Sequence, residues 1–219
     1  MSSEIKPQYI AVAGNIGVGK TTLTRLLCEQ YDWLGFYENF VENPYLEDFY
    51  EDMRGFAFQS QVFFLKERIK DHFEIHDAHK TCVQDRTIYE DAEIFARNLY
   101  DRKMMSSRDY AVYADLYRSI KGFLRPPDFF IYLQASAWTL ISRIRKRGRT
   151  YEQSIDKEYL LQLNATYEQW AKETAAEQPV LIINTDDRDI VDDLEWQKEV
   201  LVRIESFGRE VRSKREENL

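Results

Sequence analysis

Cysteine is almost missing from this chain. Cys28 and Cys82 are the whole complement of its 219 residues. Two thiols cannot supply the disulfide framework of a small secreted fold. Each lies in an apolar run, so buried free thiols in a reducing cytosol are expected. Proline and glycine are scarce too, with five and eight copies, and no stretch has the composition of a linker. One domain with a sizeable core, spanning 1–219, is therefore expected, with a charged tail at about 208–219 that frays. Excess positive charge is also lacking. The formal net charge is −8, with both signs spread along the chain, which argues against a general nucleic-acid binder. No hydrophobic run reaches the length of a membrane span. Residues 1–7 lack the apolar stretch of a signal peptide. His72, His76 and His79 are the only histidines. No H-E-x-x-H pattern surrounds them, so exposed side chains are expected rather than metal ligands. Neither an internal repeat nor a low-complexity segment is present.

What is there is concentrated near the N-terminus. Gly14-Asn15-Ile16-Gly17-Val18-Gly19-Lys20-Thr21 is a complete G-x-x-x-x-G-K-[ST] motif, followed by Thr22. A short β-prone apolar run precedes it at 9–13, and apolar residues at helical spacing follow it. Glycines let backbone N–H groups close round a phosphate chain, and a helix N-terminus adds unpaired N–H groups and partial positive charge. Lys20 is expected to reach the β- and γ-phosphates, and the Thr21 hydroxyl to ligate Mg²⁺. The chain is expected to bind a nucleoside triphosphate.

Five segments read as buried parallel strands: 9–13, 35–38, 81–85, 129–133 and 180–184. Helical patterns fill the intervals at 21–29, at 44–79 in two or three pieces, and at 91–100, 108–122, 137–147, 157–176 and 194–207. This alternation predicts an α/β fold, a doubly wound five-stranded parallel sheet flanked by helices. Its site would lie beyond the carboxyl ends of the strands.

Three constellations fall there. Glu38 ends the second strand, where a carboxylate could take a proton from a substrate hydroxyl. Asp85 and Arg86 end the third, offering an acid for Mg²⁺ and a guanidinium beside the transferred phosphoryl group. Arg143, Arg145, Lys146, Arg147 and Arg149 crowd the end of one helix before and after Gly148. They suit a mobile lid that stabilises phosphoryl charge and excludes water. Aromatic residues from Tyr45 to Phe64 surround Gln59 and Gln61, an arrangement that suits a stacked nucleobase.

Taken in order, these residues resemble the deoxyribonucleoside kinases over nearly the whole chain, most closely the bacterial purine branch. The resemblance implies a P-loop kinase fold with an arginine-rich lid. It also implies transfer of phosphate from ATP, with Mg²⁺, to the 5′-hydroxyl of a deoxynucleoside. Glu38 corresponds to the catalytic base, Asp85 to the Mg²⁺-organising acid and Arg86 to the arginine at the 5′-oxygen. Gln61 corresponds to the base-binding glutamine, and Arg68 with Asp91 to a polar pair at the base edge. Tyr50 and Glu152 correspond to the pair that holds the 3′-hydroxyl. Arg143, Arg147 and Arg149 correspond to the lid arginines. Thr185, Asp186, Asp187 and Arg188 correspond to the donor-base loop. Asn39-Phe40 stands where many members carry Pro-Val, which leaves Glu42 as an alternative base. Deoxyadenosine is the favoured substrate, with deoxyguanosine or deoxycytidine open. A homodimer built on helices around 58–70 and 91–100 is implied, with no nucleic-acid or membrane partner.

Two other readings share the phosphate loop. A thymidylate-type nucleoside monophosphate kinase would need cations, not Glu38, at the acceptor. A GTPase-like switch is suggested by Asp32-Trp33-Leu34-Gly35, but no N-K-x-D follows.

Overall fold

A computed structural model of the protein describes residues 7–38, 42–149, 152 and 155–217. Most of the N-terminal segment searched for a leader lies outside these residues, as does Asn39-Phe40.

The described residues form a five-stranded, all-parallel sheet in the order β2-β3-β1-β4-β5. The strands are β1 (Tyr9–Ala13), β2 (Leu34–Phe36), β3 (Cys82–Asp85), β4 (Phe129–Gln134) and β5 (Val180–Asn184). Every residue of β1 and β3 is buried, as continuous apolar central strands should be. The flanking β2 and β5 are only partly covered, which corrects the expectation of five buried strands. They are the sheet edges, with a pairing partner on one side only. β2 also ends at Phe36, so Glu38 lies two residues beyond the strand.

Helices α1 (Lys20–Tyr31), α2 (Leu46–Glu51) and α3 (Met53–Asp77) come before β3. Asp52 divides α2 from α3, its side chain accepting the Gly55 N–H at 3.1 Å. After β3 the chain turns directly into α4 (Ile88–Glu90), a π-helical stretch (Asp91–Ala96) and α5 (Arg97–Asp101). This run starts three residues earlier than the pattern predicted, because Thr87 and Glu90 form a reciprocal capping box. Its apolar side chains Ile94, Phe95, Ala96 and Leu99 are internal core. Then follow α6 (Ser107–Lys121), α7 (Ala137–Arg147), α8 (Lys157–Glu177) and α9 (Leu194–Glu216). Gly148, at φ 72°, terminates α7 in the left-handed region and sets the basic cluster on its last turn. One apolar cluster lies between the sheet and α3 to α8, and a second between it and α1 and α9. Among the described residues no helix is long and apolar enough to cross a membrane.

Further expectations are corrected. The charged tail, as far as it is described, is helical and packed: α9 continues to Glu216, and Val211 is buried. Arg212 reaches Gln8 at 2.8 Å, and Arg215 pairs with Asp128, which also accepts the Tyr9 N–H. His72 is buried and its Nε2 accepts the Arg125 N–H at 2.7 Å. His76 and His79 are exposed as expected, but α3 ends before His79. Both thiols are free, with Cys82 buried and Cys28 half-buried.

Deleting residues 208–219 should therefore destabilise the domain. Losing the Val211 side chain and two polar clamps amounts to about 2–4 kcal/mol. Thermal denaturation should show a midpoint about 5 °C or more below the full chain; an unchanged midpoint would mean that the tail is idle.

Candidate active site

At the carboxyl ends of β1 and β3 lies a cavity of about 370 Å³. Its phosphate side is lined by Ile16, Gly17, Val18, Gly19, Lys20, Thr21 and Thr22. Gly14 starts the loop at φ 147°, and a Cβ there would lie 2.7 Å from the Leu133 carbonyl oxygen, so the turn requires glycine. Asn15 pins the loop to α8, donating to the Leu160 carbonyl and to Asn164 Oδ1, both at 3.3 Å. Lys20 Nζ donates to the carbonyls of Gly14 at 2.8 Å and Asn15 at 3.2 Å. Burial, with Arg86 nearby, pulls the Lys20 ammonium down to about 8, against the opposing pull of Asp85 and Glu38.

The cavity floor is a charge network. Glu38 Oε1 lies 3.4 Å from both Arg86 Nη1 and Arg68 Nη2, with its side chain 10% exposed. Burial alone would raise its proton affinity. Arg86, Arg68, Lys20 and Arg149 outweigh that and hold the carboxyl below its usual range. Arg68 also pairs with Asp91 at 3.1 Å and Asp71 at 3.5 Å. Arg86 stacks over the Phe95 ring at 4.1 Å. Asp85 Oδ2 accepts the Thr21 hydroxyl at 2.5 Å, while its Oδ1 is buried without a partner.

Of the residues expected on the acceptor side, Tyr50, Gln61, Arg86, Asp91 and Glu152 all line this cavity with Glu38. Gln61, Phe64 and Arg68 share one face of α3 at spacings of three and four, which aims them together. Gln61 Oε1 is buried without a partner. Arg68 does not reach the wall. It stands behind Asp91 and Glu38, its guanidinium spent on three carboxylates.

On the lid side, Arg143, Arg147 and Arg149 line the cavity together with Lys146. Arg147 grips Glu152 at 2.6 and 2.7 Å, and Arg149 reaches it at 3.3 Å. Arg143 is tied to the loop after β5, donating to the Thr185 hydroxyl at 2.9 Å and the Thr185 carbonyl at 2.6 Å. In that loop the wall residues are Asp189 and Val191 rather than Thr185, Asp186, Asp187 or Arg188. Thr185 is buried, Asp186 accepts the Ser136 N–H at 2.7 Å, and Arg188 pairs with Asp193 and Glu199. The Asp32–Gly35 motif is elsewhere: Asp32 caps α1 and pairs with Lys80. Sequence reading missed Phe95, Tyr159, Asp189 and Val191 on the wall and Glu90 beneath it. All are distant in sequence from the phosphate loop; only Glu90 sits in a motif, the capping box it forms with Thr87, which points to a helix start and not to the site.

A family profile described as deoxynucleoside kinase matches residues 10–208. The chain belongs to the deoxynucleoside kinase family. It is an ATP-dependent kinase of deoxynucleosides, and the monophosphate-kinase and GTPase readings are set aside. It is 37% identical over 190 residues to the deoxyadenosine/deoxycytidine kinase of Bacillus subtilis, covering 86% of this chain and 87% of that protein. The deoxyguanosine kinase of the same organism is 33% identical, with 84% and 88% covered. A deoxyadenosine kinase from M. mycoides, solved with dCMP and dCDP bound, superposes with a TM-score of 0.80 at 32% identity. The match covers 90% of this chain and 98% of that one. The same enzyme with dATP gives a TM-score of 0.78.

In this kinase the depressed Lys20 has a measurable consequence. A triphosphate beside the ammonium raises its pKa, so binding near pH 8 should take up roughly half a proton. Affinity from this group is full below about pH 8 and falls as pH rises towards the bound-state value. Calorimetry of ATP binding in two buffers of different ionisation enthalpy measures the uptake; Lys20→Met should abolish it.

Proposed function

We propose that this kinase transfers the γ-phosphoryl group of ATP to the 5′-hydroxyl of deoxyadenosine, with Glu38 as general base. The observation that carries this reading is one chamber holding a phosphate cradle and, facing it, a carboxylate kept ionised by two guanidinium groups. A hydroxyl is a weak nucleophile and gains most from positioning and a nearby base. Glu38 lies in the chamber with Arg86 beside it, so the base stands next to the cation that receives the developing phosphoryl charge.

The remaining roles follow from the walls. The unpartnered Gln61 oxygen and the acceptor Asp91 suit the exocyclic amine of adenine, which cytosine shares and guanine does not present at the same edge. Arg68 supports this contact from behind by fixing Asp91. Tyr50 and Glu152 hold the 3′-hydroxyl, and Tyr50 packed against C2′ leaves little room for a ribo hydroxyl. Arg143, Arg147 and Arg149 serve the donor phosphates. Arg147 leaves Glu152 when an anion draws it, and the sugar hydroxyl then supplies the carboxylate with a new partner. The loop at 185–188 supports the donor base indirectly, through Arg143 and the neighbouring Asp189.

The orphaned Asp85 Oδ1 beside the Thr21 hydroxyl fits a hard cation that keeps most of its ligands as water and phosphate oxygens. Thr21 and Asp85 would hold Mg²⁺, partly through water, and the ion would neutralise charge on the β- and γ-phosphates.

Glu38→Gln should lower kcat by about 100- to 10,000-fold with little change in KM for ATP. The assay compares the four deoxynucleosides side by side, with adenosine, dTMP and no acceptor as controls. Deoxyadenosine should be preferred over deoxyguanosine; dominance of thymidine would overturn the reading of Gln61 and Asp91.

A cytoplasmic homodimer completes the proposal, the location resting on the two free thiols. We keep one of the two helices the resemblance named, 58–70 within α3, and take α6 in place of the other. The 91–100 segment spends its apolar side chains inside, whereas α3 and α6 lie side by side and expose Phe73, Val112 and Leu116, with Phe123 just past α6. Sedimentation should give twice the chain mass, and Leu116→Glu with Phe73→Glu should halve it.

A further inference from the structure

Glu90 has no exposed surface and no part in the chemistry above, yet both oxygens of its carboxylate are fully engaged. Oε1 accepts the Gly14 N–H at 3.2 Å and the Tyr167 hydroxyl at 2.9 Å. Oε2 accepts the Thr87 N–H at 2.9 Å and the Thr87 hydroxyl at 3.3 Å. One side chain thus ties together the first glycine of the phosphate loop, the peptide that follows Arg86, and α8.

Both tied segments hold uncommon backbone. Gly14 sits at φ 147°, and Arg86 at φ 66°, a region that non-glycine residues enter at a cost and keep only when their surroundings enforce it. The Arg86 N–H goes to the Val12 carbonyl at 3.1 Å, and Thr87, held by Glu90, fixes the next peptide. Gly14 is gripped at both ends, its N–H by Glu90 and its carbonyl by Lys20. A helix cap needs only Oε2. The oxygen turned towards the phosphate loop is surplus to capping.

We infer that Glu90 is a positioning residue for phosphoryl transfer: its carboxylate locks the phosphate loop and the Arg86 backbone in one register, so that Lys20 and Arg86 converge on the same phosphoryl group. The inference rests on the site reading given above. Burial raises the proton affinity of Glu90, and Arg86, Lys20 and the Thr87 and Gly14 N–H groups oppose that. A glutamine would present one oxygen and one NH₂ group where each side carries a backbone N–H, that of Gly14 or that of Thr87, so one side of the clamp would be repelled.

The test compares wild type with Glu90→Gln and Tyr167→Phe, normalised to folded protein by thermal melting. Glu90→Gln should lower kcat by roughly 10- to 100-fold and raise KM for ATP, with KM for the deoxynucleoside little changed. Tyr167→Phe keeps the ring and removes one donor. Glu90 then becomes easier to protonate, and the acid limb of kcat/KM for ATP should move to higher pH. The other groups facing Glu90 do not mimic this shift. Burial holds Tyr9 on β1, Tyr132 on β4 and Tyr167 on α8 far above neutral, Lys20 lies on the basic side, and Arg86 stays charged. Its chain neighbour Asp91 is the same in wild type and variant. A folded Glu90→Gln with wild-type kcat and KM for ATP overturns the inference. If that variant does not fold, an unmoved acid limb and an unchanged KM for ATP in Tyr167→Phe overturn it instead. Wild-type turnover in the same assay separates this result from a failure of the kinase reading itself.

Discussion

Everything in the site depends on keeping Glu38 charged in a place with little water. An unpaired carboxylate there would cost several kcal/mol and would simply take up a proton. Arg86 and Arg68 prevent this by flanking one oxygen at equal distances. Those guanidinium groups are themselves buried and need anions, which Asp91, Asp71 and Glu90 supply. The floor is therefore a closed account of charge in which no member stands alone. Removing one partner of such a network costs about 3–5 kcal/mol, mostly through what it leaves behind.

A triphosphate entering this site brings more negative charge than the floor has spare cations to meet. Lys20 supplies a single charge once protonated, and Arg68 and Arg86 are committed to carboxylates. In the proposal above the balance would come from Mg²⁺ and from the lid, where Arg147 and Arg149 rest on Glu152 and Arg143 on the loop after β5. Charge balance would thus link donor binding to Glu152, the proposed partner of the sugar hydroxyl.

How much of this was legible in the sequence follows from how local each signal is. The phosphate loop is eight consecutive residues between a strand and a helix, so spacing alone placed it. Glu38, Asp85 and Arg86 were legible as charged residues at or just beyond the ends of strands. The edge character of β2 and β5 was not, because apolar composition does not report which neighbours a strand has. The tail misled for the opposite reason. Its composition is charged, yet Arg212 and Arg215 meet Gln8 and Asp128 across the fold, and no local pattern encodes such partners. Arg68 and Asp91 were placed near each other by resemblance, but only the packing of α3 puts Arg68 behind the wall. Glu90 was missed altogether, because its second oxygen has meaning only once Gly14 is beside it.

The same network binds base choice to catalysis. Asp91, the proposed acceptor for the nucleobase amine, shares Arg68 with Glu38 and faces it as a like charge. Neutralising Asp91 to suit another base removes that repulsion and leaves Arg68 freer to attract Glu38. Both effects lower the proton affinity of Glu38 further and make it a weaker base. An amine-free base edge would thus be accommodated at the expense of the proton-transfer step unless another anion replaced Asp91 against Arg68. Changes of substrate in this fold should therefore come as paired substitutions, one at the cavity wall and one in the charge layer behind it.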